Sequence, residues 1–187
     1  MSFEHARRGP IRRAYTLIEV LVVITVLGIA AATVVPAMSG SGVLRVQAGV
    51  RTIVADITSA QSDALAFQTG RAVVFYPSQN LYKVVEVRGN TIDPVADLIS
   101  QTKLGTSEFG FANINSATLA GEDTRTLIFD EMGSPVTTPG GSEPAGNGTI
   151  KIEGSGQIFT LTVEGYTGRV SVKRADAPPP GSGPSGG

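Results

Sequence analysis

The chain has no cysteine, so disulfides and thiolate metal sites are both excluded. Its single histidine, His5, lies in a basic N-terminal leader and cannot anchor a catalytic centre in the rest of the chain. Nucleophile elbows, phosphate-cradling glycine loops and histidine dyads are missing. No spaced acidic loop of the EF-hand kind is present. The acidic pairs Glu122-Asp123 and Asp130-Glu131 fall short of the six to eight oxygens that calcium takes. Nothing marks two carboxylates as a glycosidase pair. These absences argue against an enzyme and predict no cofactor and no metal.

What is present is unevenly distributed. The 187 residues suit one membrane segment and one soluble domain of ordinary size. Glycine is abundant, 23 residues, and much of it lies beyond residue 100, which favours a turn-rich β domain over a helical bundle. The formal net charge of −1 hides a split. Arg7, Arg8, Arg12 and Arg13 against Glu4 give the first 14 residues +3, and the remainder, with 11 basic and 15 acidic residues, carries −4. A domain of that sign is a poor general binder of phosphate backbones.

Residues 15–35 form an apolar run with one charge, Glu19, and two threonines, Thr16 and Thr25. As a helix the run covers about 30 Å, the hydrocarbon thickness of a bilayer. The preceding arginines predict a cytoplasmic N-terminus and an exported C-terminus. A cleaved signal peptide has a shorter apolar core, although Ala30-Ala31-Ala32 imitates a cleavage site. A carboxylate in such a run is costly without a partner, so Glu19 reads as an assembly device, the alternative being a carboxylate that merely sits at headgroup level. Pro36 lacks an N–H and predicts a kink, or simply the membrane exit.

Beyond residue 42 the pattern becomes amphipathic. Val43, Val46, Val50, Ile53, Ile57, Ala60, Ala64 and Phe67 recur at spacings of three and four, a helical stripe. Arg45, Gln47, Arg51, Asp56, Ser59 and Asp63 form the opposite face. The stripe predicts a helix over 37–69 that forms a free coiled coil or, favoured because strand-like segments follow at once, lies against a sheet in the same chain. Strands are predicted over 71–76, 81–88, 126–129, 149–153 and 159–163, with a terminal hairpin partner carrying Val170 and Val172. Residues 91–124 hold only short apolar pieces and give no clear reading. Residues 135–148, rich in glycine and proline, predict an exposed loop. The fold class is therefore α+β: a leader (1–14), a transmembrane helix (15–36), an amphipathic helix (37–69), an antiparallel β domain (70–175) and a disordered tail (176–187).

The run Ala14-Tyr15-Thr16-Leu17-Ile18-Glu19, behind a basic leader and ahead of Val20-Leu21-Val22-Val23-Ile24, resembles the N-terminus of type IV pilins and type II secretion pseudopilins. Relatives most often carry Gly at the Ala14 position and Phe at the Tyr15 position. The resemblance implies cleavage by a prepilin peptidase between Ala14 and Tyr15, and methylation of the new Tyr15 amino group. It implies that Glu19 pairs with the N-terminus of a neighbouring subunit and sets axial register. Phe129-Asp130-Glu131-Met132-Gly133 and the closing Gly168-Arg169-Val170-Ser171-Val172 resemble, more weakly, the minor pseudopilins and minor pilins of the GspH/FimT type. That implies a structural subunit of the inner membrane with a periplasmic β domain. Its partners would be other pseudopilins or pilins, the peptidase and the inner-membrane assembly platform. It would serve protein export or, alternatively, a type IV pilus. Some pilins of this type assist DNA uptake, which makes Arg169, Lys173 and Arg174, with Lys151 nearby, candidate DNA contacts; the negative balance weighs against nucleic acid.

Overall fold

The computed structural model describes residues 15–39, 41–120 and 124–176. It divides into two units, Met1–Gly40 and Ser41–Gly187.

The first unit holds helix α1, Leu17–Ser39. Thr16 starts it: its Oγ1 accepts the Glu19 N–H at 3.2 Å, and its carbonyl accepts the Val20 N–H at 3.2 Å. The hydroxyl satisfies a donor that the first helical turn cannot satisfy itself. Glu19, three residues on, has the Thr-x-x-Glu spacing of a capping box and places its charge in the first turn, where the helix dipole favours it. Pro36 lies within α1.

The second unit opens with α2, Ser41–Phe67, followed by ten strands among the described residues. These are β1 (Arg71–Tyr76), β2 (Leu81–Arg88), β3 (Thr91–Ile92), β4 (Leu98–Lys103), β5 (Asn113–Thr118), β6 (Thr126–Phe129), β7 (Pro135–Val136), β8 (Gly148–Gly154), β9 (Gln157–Val163) and β10 (Val170–Asp176). They form two antiparallel sheets rather than one. The first runs β3-β2-β1-β6-β7, with β4 also paired to β2. The second runs β10-β9-β8-β5.

The stripe of α2 explains why both sheets gather on it. Val46, Val50, Ile53, Ile57, Ala60 and Ala64 are all buried. They share one core with Val73, Phe75, Tyr82, Leu127 and Phe129 of the first sheet and with Ile114, Ile150, Ile152, Phe159, Leu161 and Val163 of the second. Burying a side chain of that size is worth about 1.5–3 kcal/mol over leaving it in water. The other face of the first sheet is also covered: Ala72, Val74, Val85, Val87, Ile128 and Val136 form a smaller cluster. That is why β1 reads as an unbroken apolar run rather than an alternating one.

Three expectations need correction. Residues 91–124 are not formless: they supply β3, β4 and β5. β4 is exposed at five of six positions, so it carries little hydrophobic pattern, and β5 has a register shift between Ile114 and Ser116 that breaks the period of two. The segment 135–148 is not wholly an exposed loop. Pro135 and Val136 are buried as β7, Ala145 is buried, and the Ala145 N–H donates to the Pro135 carbonyl at 2.9 Å. Phe67, at the end of the α2 stripe, stays exposed and lies beneath the Arg71 guanidinium at 5.6 Å.

Candidate functional site

The site indicated by the sequence is the start of α1. Tyr15 and Glu19, one helical turn apart, lie together on it with Val20 and Val23. Every described residue from 15 to 31 has an exposed side chain, including Leu17, Ile18, Leu21, Ile24, Leu27 and Ile29. Apolar residues occupy all faces of this helix, the pattern of a helix that is to be surrounded rather than one that lies on a surface. The polar groups within it are satisfied locally: Thr25 Oγ1 donates to the Leu21 carbonyl at 2.8 Å. Glu19 is the one charge in this stretch, and among the described residues its carboxylate forms no ion pair. Among the described residues no helix is long and apolar enough to cross a membrane. The described side chains of α1 end at Ala31, and the apolar sequence continues to Val35. Ala14 and the rest of the leader lie outside the described residues, as does the tail beyond residue 176.

The candidate DNA contacts do not converge. In β10, Val170, Val172 and Arg174 pair across from Val163, Leu161 and Phe159, on the core side of the sheet. Lys173 pairs with Thr160 and faces away. Lys151 also pairs with Thr160, so Lys151 and Lys173 share the outer face while Arg174 is on the other. Arg169 sits in the turn before β10, its carbonyl accepting the Glu164 N–H. Of the acidic pairs, Glu122-Asp123 lies outside the described residues. Asp130 serves the turn after β6, where its Oδ1 accepts the N–H groups of Met132 at 2.9 Å and Ser134 at 2.7 Å. Among the described residues no cluster of His, Asp or Glu is arranged to hold a metal ion.

Two residues that matter to the domain gave no signal in the sequence. Gln61 projects from α2, and its Nε2 donates to the Gly133 carbonyl at 2.7 Å and to the Thr167 carbonyl at 2.8 Å. The two short C-terminal motifs thus meet at one side chain. Gly133 (φ +71°) and Gly168 (φ +69°) are both left-handed there. A Cβ would come within 2.9 Å of Leu65 Cγ at the first and 2.7 Å of Gln61 Nε2 at the second, so both positions require glycine. Asp56, expected on the outer face of α2, instead accepts the hydroxyl of fully buried Tyr82 at 2.6 Å, with Thr102 at 3.4 Å. Burial, then the bond to Asp56, pushes the Tyr82 hydroxyl far above its ordinary range.

Residues 10–35 match the family described as the prokaryotic N-terminal methylation motif. No curated protein matches the chain significantly. Among solved structures, the type IV minor pilin FimU of Pseudomonas aeruginosa is similar at 18% identity with a TM-score of 0.44, over 68% of this chain and 87% of that one. The minor pseudopilin EpsH from the type 2 secretion system of Vibrio cholerae is similar at 10% identity with a TM-score of 0.47, over 69% and 96%. Likenesses this distant carry no functional information. The match to the methylation motif covers the leader end and most of the apolar helix α1, ahead of an α+β domain built on a second helix.

Proposed function

We propose that the chain is a membrane-anchored structural subunit of a short periplasmic filament, a minor pseudopilin of the GspH type that assists protein export across the outer membrane. One observation carries this reading: α1 is apolar on every face, and the one charge in its described part sits in the first turn of a methylation motif. A helix with no polar face has no place against water. Lipid suits it first, and neighbouring helices suit it once subunits stack. In either setting an unpaired carboxylate is expensive. Cleavage before Tyr15 would create a positive amino group four residues from Glu19, and the same group on an adjacent subunit is the natural counter-ion. Pairing of the two fixes the axial offset between subunits, as a buried polar group fixes register in coiled coils.

The test is Glu19→Leu in the cell. The variant should remain in the inner membrane and disappear from sheared or cross-linked filaments; normal incorporation would overturn the role given to Glu19. Intact mass of the membrane-extracted chain checks processing: the expected product begins at a methylated Tyr15, and a chain starting at Met1 would contradict it. A type IV pilus minor pilin would use the same filament physics. Deleting the gene separates the two: exported proteins held in the periplasm support the secretion reading, and loss of surface pili with export intact supports the pilus.

A further inference from the structure

We propose that the apolar groove between α2 and β10 receives Phe111 of a second copy of this chain, so that copies join side by side through unlike surfaces. This deepens the filament reading given above and rests on it.

The groove lies wholly within the second unit. Val50, Arg51, Val54 and Ala55 of α2 line one side, and Phe159 of β9 and Val172 of β10 line the other. It encloses about 560 Å³, room for an aromatic ring. Val172 is on the core side of β10 and is still 44% exposed, because α2 does not cover the end of that sheet. Arg51 is exposed on one rim, and Arg174, which pairs across from Phe159, is exposed on the other. Among the described residues neither forms an ion pair. An apolar floor between two guanidinium groups suits an apolar side chain that arrives with a carboxylate.

The loop between β4 and β5 offers that combination, with Glu108 exposed three residues before Phe111. The loop is fixed on both sides of Phe111. Phe109 packs against the core, Ala112 is fully buried, and the Phe111 N–H donates to the Thr106 carbonyl at 2.8 Å. Between these anchors Gly110 (φ +62°) and Phe111 (φ +55°) are both left-handed. Glycine takes that conformation freely and a bulky aromatic does not. Phe111 takes it and stays 65% exposed, so the strain brings no burial within its own domain. A partner that covers the ring accounts for it.

Loop and groove occupy opposite sides of α2. A Cβ at Gly110 would meet the Gly42 carbonyl oxygen at 2.8 Å and Val46 Cγ2 at 3.2 Å, and one at Gly49 would meet Phe109 Cδ1 at 3.3 Å. The loop thus covers the face of Gly42, Val46 and Gly49. At about 100° per residue, Gln47, Arg51 and Ala55 stand about 180° from that face. The groove is also centred further along α2 than the seat of Gly110, by about 10 Å of helical rise. Two copies in one orientation, displaced by that distance, bring Phe111 of one to the groove of the other. Glu108 then arrives beside Arg51. Each such pair leaves one loop and one groove free, a heterologous contact that adds further copies instead of closing on itself. A ring seated in a pocket carries most of the energy of such a contact.

The test replaces Phe111 with photoreactive benzoylphenylalanine, which keeps an aromatic ring at that position. The full chain carrying it is co-expressed with a second full chain bearing a different tag, and the cells are irradiated. A product with both tags is expected, its adducts on the peptides that hold Val54 and Val172. Arg51→Glu in the receiving copy should lower the yield about two- to fivefold, the effect of one exposed ion pair, and Glu108→Arg in the photoreactive copy should restore it. Val172→Trp in the receiving copy fills the groove from its own wall and should remove the product. Recovery of the photoreactive chain in sheared filaments with no two-tag product, or with adducts on another surface, overturns the docking and leaves the filament reading standing. No product and no recovery in any filament overturns both. Phe111→Asn, whose side chain tolerates the left-handed region, should keep or raise the melting temperature. A clear fall would mean that the ring supports its own domain, and would overturn its role as a docking group.

Discussion

Helices α1 and α2 follow one another in the chain and have similar lengths, 23 and 27 residues, yet they use apolar residues in opposite ways. Along α2 the apolar positions form one stripe, and the chain itself supplies two sheets to cover it. Along α1 they occur on every side, and all the described ones are exposed. The hydrophobic effect does not distinguish the two, since each removes apolar surface from water when covered. The difference lies in what covers them. α2 is answered within the molecule, so its sequence encodes a fold. Every described side chain of α1 is exposed, and under the proposed function its sequence encodes surroundings: lipid, then copies of similar helices. The acids on the two helices differ in the same way. Asp56 of α2 is bonded to Tyr82 and Thr102 of its own domain, while Glu19 of α1 has no cation among the described residues.

This contrast can be broken from either side. The largest effect is expected for Glu19→Leu, which should abolish recovery in filaments and leave the melting temperature of the domain unchanged. Ile57→Ala should do the reverse. Deleting a fully buried branched side chain costs about 2–5 kcal/mol, read as a lower urea midpoint, with membrane insertion intact. Gln61→Ala removes both bonds that hold the turns at Gly133 and Thr167 to α2. A loss of about 1–3 kcal/mol is expected, with faster amide exchange at Ser134 and Arg169. Tyr82→Phe should cost about 1.5–3 kcal/mol at neutral pH by removing a bond to a carboxylate. It also carries a pH signature. The folded hydroxyl ionises well above its ordinary 10.0, so its contribution is complete below that pH and is lost as the pH rises beyond it, because the unfolded chain then releases a proton the folded chain keeps. The variant should lack that alkaline loss.

Much of the fold was legible because regular patterns have few readings. The three- and four-residue spacing of Val46, Val50, Ile53 and Ile57 gave α2, and the apolar runs at 71–76, 81–88 and 126–129 coincide with β1, β2 and β6. β4 was illegible because it joins β2 mainly through its backbone and buries almost nothing, and backbone pairing leaves no mark on side-chain choice. β7 was hidden because Pro135 reads as a turn residue, while at the sheet edge it needs no N–H partner. The glycines of the two C-terminal motifs were visible, but their common partner Gln61 was not, since a polar residue on a helix looks solvated until a carbonyl is placed beside it.

The sequence by itself determined the anchor-like helix with its lone acid, the helical stripe after it and the α+β class, because each rests on local composition and periodicity. Only the tertiary structure decided that the strands divide into two sheets, that Asp56 faces inward to Tyr82, that Lys173 and Arg174 lie on opposite sides of β10, and that Phe111 is held outward in a left-handed turn. Those facts depend on which distant segments share the space around α2, and the energy of such contacts is fixed by three-dimensional packing rather than by any neighbourhood along the chain.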